Sequence, residues 1–162
     1  VYLGNGASEL IQMAISALVN DGDEILIPAP DFPLYTAVVG LSGGRPVHYI
    51  CDEAAGWLPD IEDIRSKISP RTRGIMVCNP NNPTGRVYSR AEWAEILAVT
   101  AEFPQLWVLS DEIYEGISFG PAPVPTLLAL PDHTTVHTGH GDSTTIGAER
   151  DGVLARAAEL GL

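Results

Sequence analysis

Four short segments of the sequence carry residue types that can bind a phosphate, stack on a ring and pair with a cationic nitrogen. They cover residues 4–9, 28–35, 79–85 and 110–114. The first reads GNGASE and leads from an apolar run into a predicted helix. Free backbone N–H groups and the positive end of the helix dipole suit a phosphate there, although a plain turn capped by Ser8 is an alternative. The dinucleotide-binding fingerprint is not met, because Glu9 stands at the position of its third glycine.

The other three segments offer an aromatic ring, amides and carboxylates. Prolines stiffen residues 28–35 and can present the Phe32 ring for stacking, although a lone phenylalanine is more often a core residue. Residues 79–85 read NPNNPTG, which predicts a fixed turn with its amide side chains directed outward. Residues 110–114 read SDEIY and end an apolar strand with carboxylates. A P-loop ATPase has a similar strand end, but its Gly-rich loop with Lys-Ser/Thr is absent from this sequence.

Alternating helices and strands must position these segments. Apolar residues at helical spacing predict helices over residues 8–20, 33–41, 60–68 and 89–103. Apolar runs predict strands over residues 1–3, 24–28, 45–50, 74–78 and 106–109. A capping box of Ser89 and Glu92 is expected to open the last helix. Strands that are apolar on both faces indicate an α/β fold, a three-layer sandwich with a mainly parallel sheet, in which the four segments share one crevice.

The composition and charge of the chain limit the kinds of partner that it can bind. The 162 residues carry a formal net charge of −12, which argues against nucleic acid because phosphate backbones are neutralised by clustered Lys and Arg. No apolar run is long enough for a membrane span and no signal-peptide pattern is present, so we expect a soluble, cytoplasmic protein without a membrane partner. Cys51 and Cys78 lie inside separate apolar runs without zinc-binding spacing. We therefore expect buried free thiols and no metal site.

In this order and spacing, the four segments resemble class I/II aminotransferases, enzymes of fold type I that use pyridoxal 5′-phosphate as cofactor. NPNNPTG and SDEIY are the most specific motifs, and PAPDFPLYTAVV and HYICDEAAGWLPDIEDIRSKISPRTRGI look most like the bacterial alanine (glutamate–pyruvate) aminotransferase branch. The resemblance implies that residues 1–136 are part of the large, cofactor-binding domain and that residues 137–162 are a divergent tail, irregular or out of frame. It also implies a role in amino acid metabolism, with an L-amino acid such as alanine and a 2-oxo acid as substrates, and a homodimeric family.

The resemblance implies cofactor-binding roles for six residues. The backbone of Ala7 and Ser8 would hold the cofactor phosphate at the helix N-terminus, and Phe32 would stack on the pyridine ring. The remaining three are polar side chains, Asn82, Asp111 and Tyr114. Asn82 and Tyr114 would hydrogen-bond the phenolic oxygen of the ring, and Asp111 would keep the ring nitrogen protonated. A protonated ring accepts the electrons that remain when an amino acid loses its α-proton.

The lysine that forms the Schiff base with the cofactor in this family is missing. The family has it in a Ser-x-x-Lys context downstream of the SDEIY motif, whereas residues 137–145 read HTGHGDSTT. Lys67 is the one lysine of the chain, and we interpret it as a solvated residue of the helix over residues 60–68. No catalytic residue is therefore assigned, and we expect the chain to be inactive alone.

Two alternatives to an aminotransferase stay open. A lyase or decarboxylase of the same fold uses the same electron sink, and the substrate-binding segments that decide between these reactions are not recognised here. A non-catalytic cofactor-binding or assembly module, dimerising through exposed apolar surface, is the alternative from a different class.

Overall fold

The computed structural model describes residues 2–117, 132, 135–136 and 144–148. Its helices are α1 (Ala7–Leu18), α2 (Pro33–Leu41), α3 (Ile61–Lys67) and α4 (Arg90–Ala101). The first five strands are β1 (Glu24–Ala29), β2 (Arg45–Asp52), β3 (Leu58–Pro59), β4 (Thr72–Cys78) and β5 (Trp107–Asp111). The helices and strands predicted between residues 8 and 109 are confirmed within the usual uncertainty of their ends.

The five strands form one sheet in the order β3-β2-β1-β4-β5. β1 pairs in parallel with both β2 and β4, and β4 pairs in parallel with β5. Only the short β3 is antiparallel to its neighbour, β2. The chain passes from β1 to β2 and then back across β1 to β4, so the strand order reverses between β1 and β4. The loops after these two strands therefore diverge and leave a crevice at the carboxyl edge of the sheet.

Helices cover both faces of the sheet, which confirms the three-layer α/β architecture. One face is covered by α1 and α2, whose core with β1 and β4 consists of Ile11, Ile15, Val19, Ile25, Ile27, Tyr35, Val38, Val39 and Met76. After β2 the chain crosses the sheet in the opposite direction, so right-handed crossovers place α3 and α4 on the other face. The buried side chains there include Ile64, Trp93, Ile96 and Val99.

The two central strands and the flanking β2 differ in burial. β1 and β4 are buried along almost their whole length, as expected of parallel strands between helical layers. β2 alternates between exposed and covered residues in its second half. The prediction of strands apolar on both faces is therefore right for the centre of the sheet and wrong for β2. β2 lies near the edge of the sheet, where its outer neighbour is the two-residue β3.

The helix starts on the second face follow local sequence signals. Ser89 Oγ accepts a hydrogen bond from the Glu92 N–H at 3.3 Å, and Glu92 Oε2 accepts one from the Ser89 N–H at 2.6 Å. The predicted capping box of α4 is thereby confirmed. Asp60 caps α3 in the same way, with Oδ1 accepting from the Asp63 N–H at 3.0 Å.

Two regions differ from the sequence-based expectation. Residues 2–4 have no regular secondary structure, and no strand among the described residues pairs with them, so the predicted first strand is not formed there. Residues 137–162 were expected to be an irregular tail, but β7 (Thr144–Thr145) pairs with β6 (Thr135–Val136) as an antiparallel ladder. The rest of the predicted tail, apart from residues 146–148, lies outside the described residues. Thr and Val favour extended backbone, which accounts for this short ladder.

The chain divides into two compact units, Gly4–Val124 and Val1–Leu3 with Pro125–Leu162. The five-stranded sheet and helices α1 to α4 belong to the first unit. Within the described residues, no helix is long and apolar enough to cross a bilayer.

Candidate cofactor-binding site

The helices of the first face bring their N-termini to the carboxyl edge of the sheet. α2 follows the end of β1 and precedes the start of the parallel β2, so it runs from the carboxyl edge back to the amino edge. α1 ends shortly before the start of β1, so it runs in the same direction. Ala7, at the start of α1, and Phe32, just before α2, both pack against the core of this face. The four segments identified in the sequence therefore lie at one edge of the sheet.

Asp111 is held in place by donors from two different elements. It is the last residue of β5, and its Oδ2 accepts a 2.6 Å hydrogen bond from the Tyr35 hydroxyl on α2. Its Oδ1 accepts a 3.2 Å hydrogen bond from the Ile113 N–H. Burial, together with the bond to Asp111, raises the pKa of Tyr35 far above its usual value, so its hydroxyl stays protonated and donates.

Asn82 and Tyr114 form a second polar pair at the same edge. The Asn82 side-chain amide donates to the Tyr114 hydroxyl oxygen at 3.0 Å. A backbone hydrogen bond of 3.0 Å from the Asn79 N–H to the Asp111 carbonyl joins the two segments that carry this pair. An amide N–H and a phenol O–H placed together suit a ligand oxygen that accepts two hydrogen bonds.

The side chains of the Asn-Pro loop, residues 79–85, have two different tasks. Asn79 and Asn81 are buried, so the expectation of outward amides is wrong for both and right only for the half-exposed Asn82. Asn79 Oδ1 accepts from the Tyr88 N–H at 2.8 Å, and Asn81 Nδ2 donates to Thr84 Oγ1 at 2.9 Å. A buried loop without regular structure needs such side chains because its backbone groups have no ladder partners.

Phe32 lies between solvent and the core of the first face. It precedes the first residue of α2, Pro33, and its half-buried ring meets the Tyr35 ring edge-on, with centroids 5.7 Å apart. The loop that carries it is tied down by Asp31, whose Oδ2 accepts from the Thr36 hydroxyl at 2.8 Å. Both readings of Phe32, core residue and stacking surface, are thus compatible with its partial burial.

The turn before α1 leaves the helix N-terminus without a side-chain cap. Gly6 precedes the helix with φ 88°, a conformation that favours glycine, and no side chain bonds to the first N–H groups. The cap by Ser8 is therefore wrong, whereas the turn itself is present. Ala7 is half-buried and Ser8 is exposed. Glu9 Oε2 reaches back to accept from the Asn5 N–H at 2.5 Å, which helps to fix the turn.

These donors fit the chemical groups of pyridoxal 5′-phosphate. The uncapped start of α1 has N–H groups for a phosphate, and the oriented Asp111 carboxylate suits a protonated ring nitrogen. Asn82 and Tyr114 suit the phenolic oxygen. Direct contacts join these polar residues in pairs, whereas the place of Ser8 at the site follows only from the direction of α1.

Lys67 lies on the other face of the sheet. It is the last residue of α3, and its Nζ donates to Asp63 Oδ2 at 2.6 Å in an ion pair one helical turn away. Its position on a helix is confirmed, but its amine is paired rather than simply solvated. Within residues 2–117, which contain this single lysine, no amine side chain is available at the carboxyl edge.

Tyr35 was missed by the sequence analysis, although a signal for it exists. Phe32 and Tyr35 are three positions apart at the start of a helix, a spacing that places both on one side of the first turn. The thiols are buried as expected, and burial raises the pKa of Cys51 to about 11 and that of Cys78 above its usual value. Among the described residues, no group of three or more His, Cys, Asp or Glu side chains could hold a metal ion.

Known proteins match most of this chain. The sequence matches the family described as aminotransferase class I and II over residues 1–153. Glutamate-pyruvate aminotransferase AlaA of Escherichia coli strain K12 is 51% identical over 146 residues, which cover 90% of this chain and 36% of that protein. Alanine aminotransferase of Mycobacterium bovis is 54% identical over 125 residues, 75% of this chain and 28% of that protein. The chain thus spans about a third of the length of these curated relatives.

Solved structures give the same result. An aminotransferase from Escherichia coli has a TM-score of 0.73 at 54% identity, covering 76% of this chain and 30% of that one. Alanine aminotransferase from Pyrococcus furiosus has a TM-score of 0.70 at 43% identity, covering 74% of this chain and 30% of that one. The family match extends past residue 136, and the domain boundary drawn there from the motifs stays a prediction. The recognition of the family from its loops is confirmed: this chain belongs to the class I and II aminotransferases.

Proposed function

We propose that this chain is the cofactor-binding part of an aminotransferase that moves an amino group between an L-amino acid such as alanine and a 2-oxo acid. The observation that carries the proposal is Asp111, a carboxylate fixed by Tyr35 and Ile113 at the carboxyl edge of a parallel sheet. The names of the relatives, glutamate-pyruvate and alanine aminotransferase, support this substrate class.

Each predicted site residue has one task in this proposal. Bound pyridoxal 5′-phosphate supplies an electron sink for the carbanion left when an amino acid loses its α-proton. The Asp111 carboxylate holds a proton on the ring nitrogen, and Phe32 stacks on the ring face. Asn82 and Tyr114 donate hydrogen bonds to the phenolic oxygen. The N–H groups of Ala7 and Ser8, at the start of α1, bind the phosphate.

We also propose that these 162 residues alone do not catalyse amino transfer. An amine base has to move the α-proton of the substrate, and Lys67 is paired with Asp63 on the opposite face of the sheet. The cytoplasmic location, which was expected from the composition, stays a prediction for the whole protein. The homodimer, which the family resemblance implies, also stays a prediction.

Calorimetric titration with pyridoxine 5′-phosphate tests the cofactor site. This analogue has an alcohol in place of the aldehyde, so it cannot react with Lys67 or the N-terminal amine. We expect saturable binding by the wild type. Asp111→Asn should raise the dissociation constant by about tenfold or more, because a hydrogen bond to a charged group is lost. Asp21→Asn removes one carboxylate in the turn between α1 and β1, at the amino edge, and should bind as the wild type does.

Turnover is tested separately with alanine, 2-oxoglutarate and pyridoxal 5′-phosphate. We expect no more pyruvate than free cofactor produces. Saturable turnover by the wild type would contradict the proposed inactivity, and its persistence or loss in Lys67→Arg would show whether Lys67 is the amine responsible. Failure of the wild type to bind pyridoxine 5′-phosphate would contradict the cofactor-binding function itself.

A further inference from the structure

We propose, on the basis of the function above, that Tyr35 is a positioning residue whose hydroxyl fixes the Asp111 carboxylate in the orientation that recognises a ring nitrogen. The two residues are 76 positions apart in the sequence, and their 2.6 Å hydrogen bond joins α2 to the end of β5. The contact is therefore tertiary, and nothing in the local sequence of Asp111 provides it.

The two oxygens of Asp111 are held from different sides. The Tyr35 hydroxyl donates to Oδ2, and the Ile113 N–H donates to Oδ1 at 3.2 Å. The Ile113 bond alone is long and comes from a partly exposed segment just after the strand. Rotation of the carboxylate about its last torsion is thus restrained chiefly by the shorter bond from Tyr35.

Tyr35 itself has almost no freedom to move. Its side chain is 1% exposed and belongs to the core that joins α1, α2, β1 and Met76. The Tyr35 and Phe32 rings pack in a T-shaped arrangement, with the ring planes at 87°. A ring locked in this way keeps its hydroxyl oxygen at one point, from which the O–H can orient a neighbouring carboxylate.

The surroundings of the hydroxyl keep it a donor to Asp111. Cys78, opposite Asp111 in the β4–β5 register, is the other polar side chain that influences the hydroxyl, and its thiol donates to the Pro80 carbonyl at 3.2 Å. Burial raises the pKa of Tyr35 far above its usual value, so the hydroxyl keeps its proton at neutral pH. The hydroxyl therefore has one strong acceptor, the Asp111 carboxylate.

A positioning role predicts a selective loss of ligand discrimination. Pyridoxine 5′-phosphate and its carbocyclic analogue, in which CH replaces the ring nitrogen, share the phosphate, the ring face and the phenolic oxygen. Their ratio of dissociation constants measures the recognition of the ring nitrogen alone. Without the Tyr35 hydroxyl the carboxylate can rotate, so the ratio should fall while the contacts shared by both ligands persist.

The experiment measures this ratio by calorimetry for the wild type, Tyr35→Phe and Tyr49→Phe. Tyr49 is a matched control, because its equally buried hydroxyl donates to the Met76 carbonyl at 2.9 Å and has no role at the site. We expect Tyr35→Phe to reduce the preference for the nitrogen-containing ring by about fivefold or more, and Tyr49→Phe to keep it. Tyr35→Met, which also lacks the hydroxyl and adapts to irregular space, replaces Tyr35→Phe if that variant does not fold.

The outcomes separate this role from the proposed function. If Tyr35→Phe keeps the wild-type ratio, or weakens both ligands equally, Tyr35 does not position Asp111, while the cofactor site stands. If the wild type binds both ligands with equal affinity, ring-nitrogen recognition by Asp111 is refuted and the role of Tyr35 with it. If the wild type binds neither ligand, the cofactor-binding function and the inference both fail.

Discussion

The two polar pairs of the site join residues that are distant in the sequence, and both depend on the pairing of β4 with β5. Asn82 follows β4 and Tyr114 follows β5, and Cys78 stands directly opposite Asp111 in the parallel register. A slip of one residue in that register would turn Asp111 to the other face, away from Tyr35. The site chemistry therefore depends on strand pairing as much as on the identity of the side chains.

Asn79 and Asn82 should respond differently to the same substitution. Asn79→Ala leaves the Tyr88 N–H buried without its acceptor and should lower the free energy of unfolding by about 1–3 kcal/mol. Asn82→Ala removes a half-exposed amide, so we expect weaker binding of pyridoxine 5′-phosphate with less than about 1 kcal/mol of lost stability. Urea unfolding and calorimetry measure the two effects. Equal destabilisation by both substitutions would show that Asn82 serves the fold rather than the ligand.

The residues of the site could be predicted from the sequence to different degrees. Asn82 and Asp111 stand in dense motifs after apolar strands, where polar residues have few structural reasons to cluster. The spacing of Tyr35 from Phe32 indicates only that the two lie on one side of a helix turn, and the contact of Tyr35 with Asp111, 76 positions away, leaves no local pattern. The buried state of Asn79 was also missed, because the demand of the loop backbone for partners depends on how deeply the loop lies.

Elements with clear periodicity were predictable, and very short ones were not. The helix pattern of α2 and the apolar runs of β1 and β4 gave their positions directly. β3 has two residues, Leu58 and Pro59, too few for any periodicity, and it forms only because the turn before it returns the chain to β2. Gly56 and Trp57 in that turn both have positive φ, of 70° and 67°.

The close approach of β4 and β5 depends on a glycine. A Cβ at Gly74 would lie 2.9 Å from Leu109 Cδ1 and 3.0 Å from the Trp107 carbonyl oxygen. Gly74→Ala should therefore force the strands apart and lower the free energy of unfolding by about 1–3 kcal/mol. Gly40→Ala is the control, because a Cβ on that α2 residue would meet nothing within 4 Å.

Thermal and urea unfolding of the two variants give the comparison. Gly40→Ala should be neutral or stabilising by up to about 1 kcal/mol, since alanine favours helix. If Gly74→Ala is tolerated as well as Gly40→Ala, the tight β4–β5 contact does not limit stability. Weaker ligand binding by Gly74→Ala would further link strand spacing to the position of Asp111.

On the scale of the whole molecule, the two edges of the sheet carry different chemistry. The carboxyl edge holds the candidate site, while the amino edge holds two buried carboxylates, Asp23 and Glu24. Asp23 pairs with Arg73 at 3.0 Å, and Glu24 pairs with Arg45. The parallel strand direction was predictable from the helix–strand alternation. The strand order was not, and so the pairing of these carboxylates with arginines could not be predicted either.

The amino-edge carboxylates should make folding sensitive to acid. A hydrogen bond from the Asn20 N–H lowers the pKa of Asp23 below 3.8. Burial alone would raise the pKa of Glu24, but bonds from Ser69 and Arg45 lower it below 4.5. Groups whose pKa is lower in the folded than in the unfolded state stabilise the fold above the unfolded value. That stabilisation is lost as pH falls through the folded value.

Glu24→Gln isolates the contribution of one of these carboxylates. At pH 7 the variant should be less stable than the wild type, because the pairing of the carboxylate with Arg45 and Ser69 is weakened. As pH falls below 4.5 the wild-type carboxylate becomes protonated, so the difference in unfolding free energy should shrink. Glu95→Gln removes an exposed carboxylate from α4 and is the control for the loss of one negative charge. A Glu24→Gln difference that stays constant from pH 7 to below 4.5 would mean that the buried carboxylate stabilises the sheet by packing rather than by its charge.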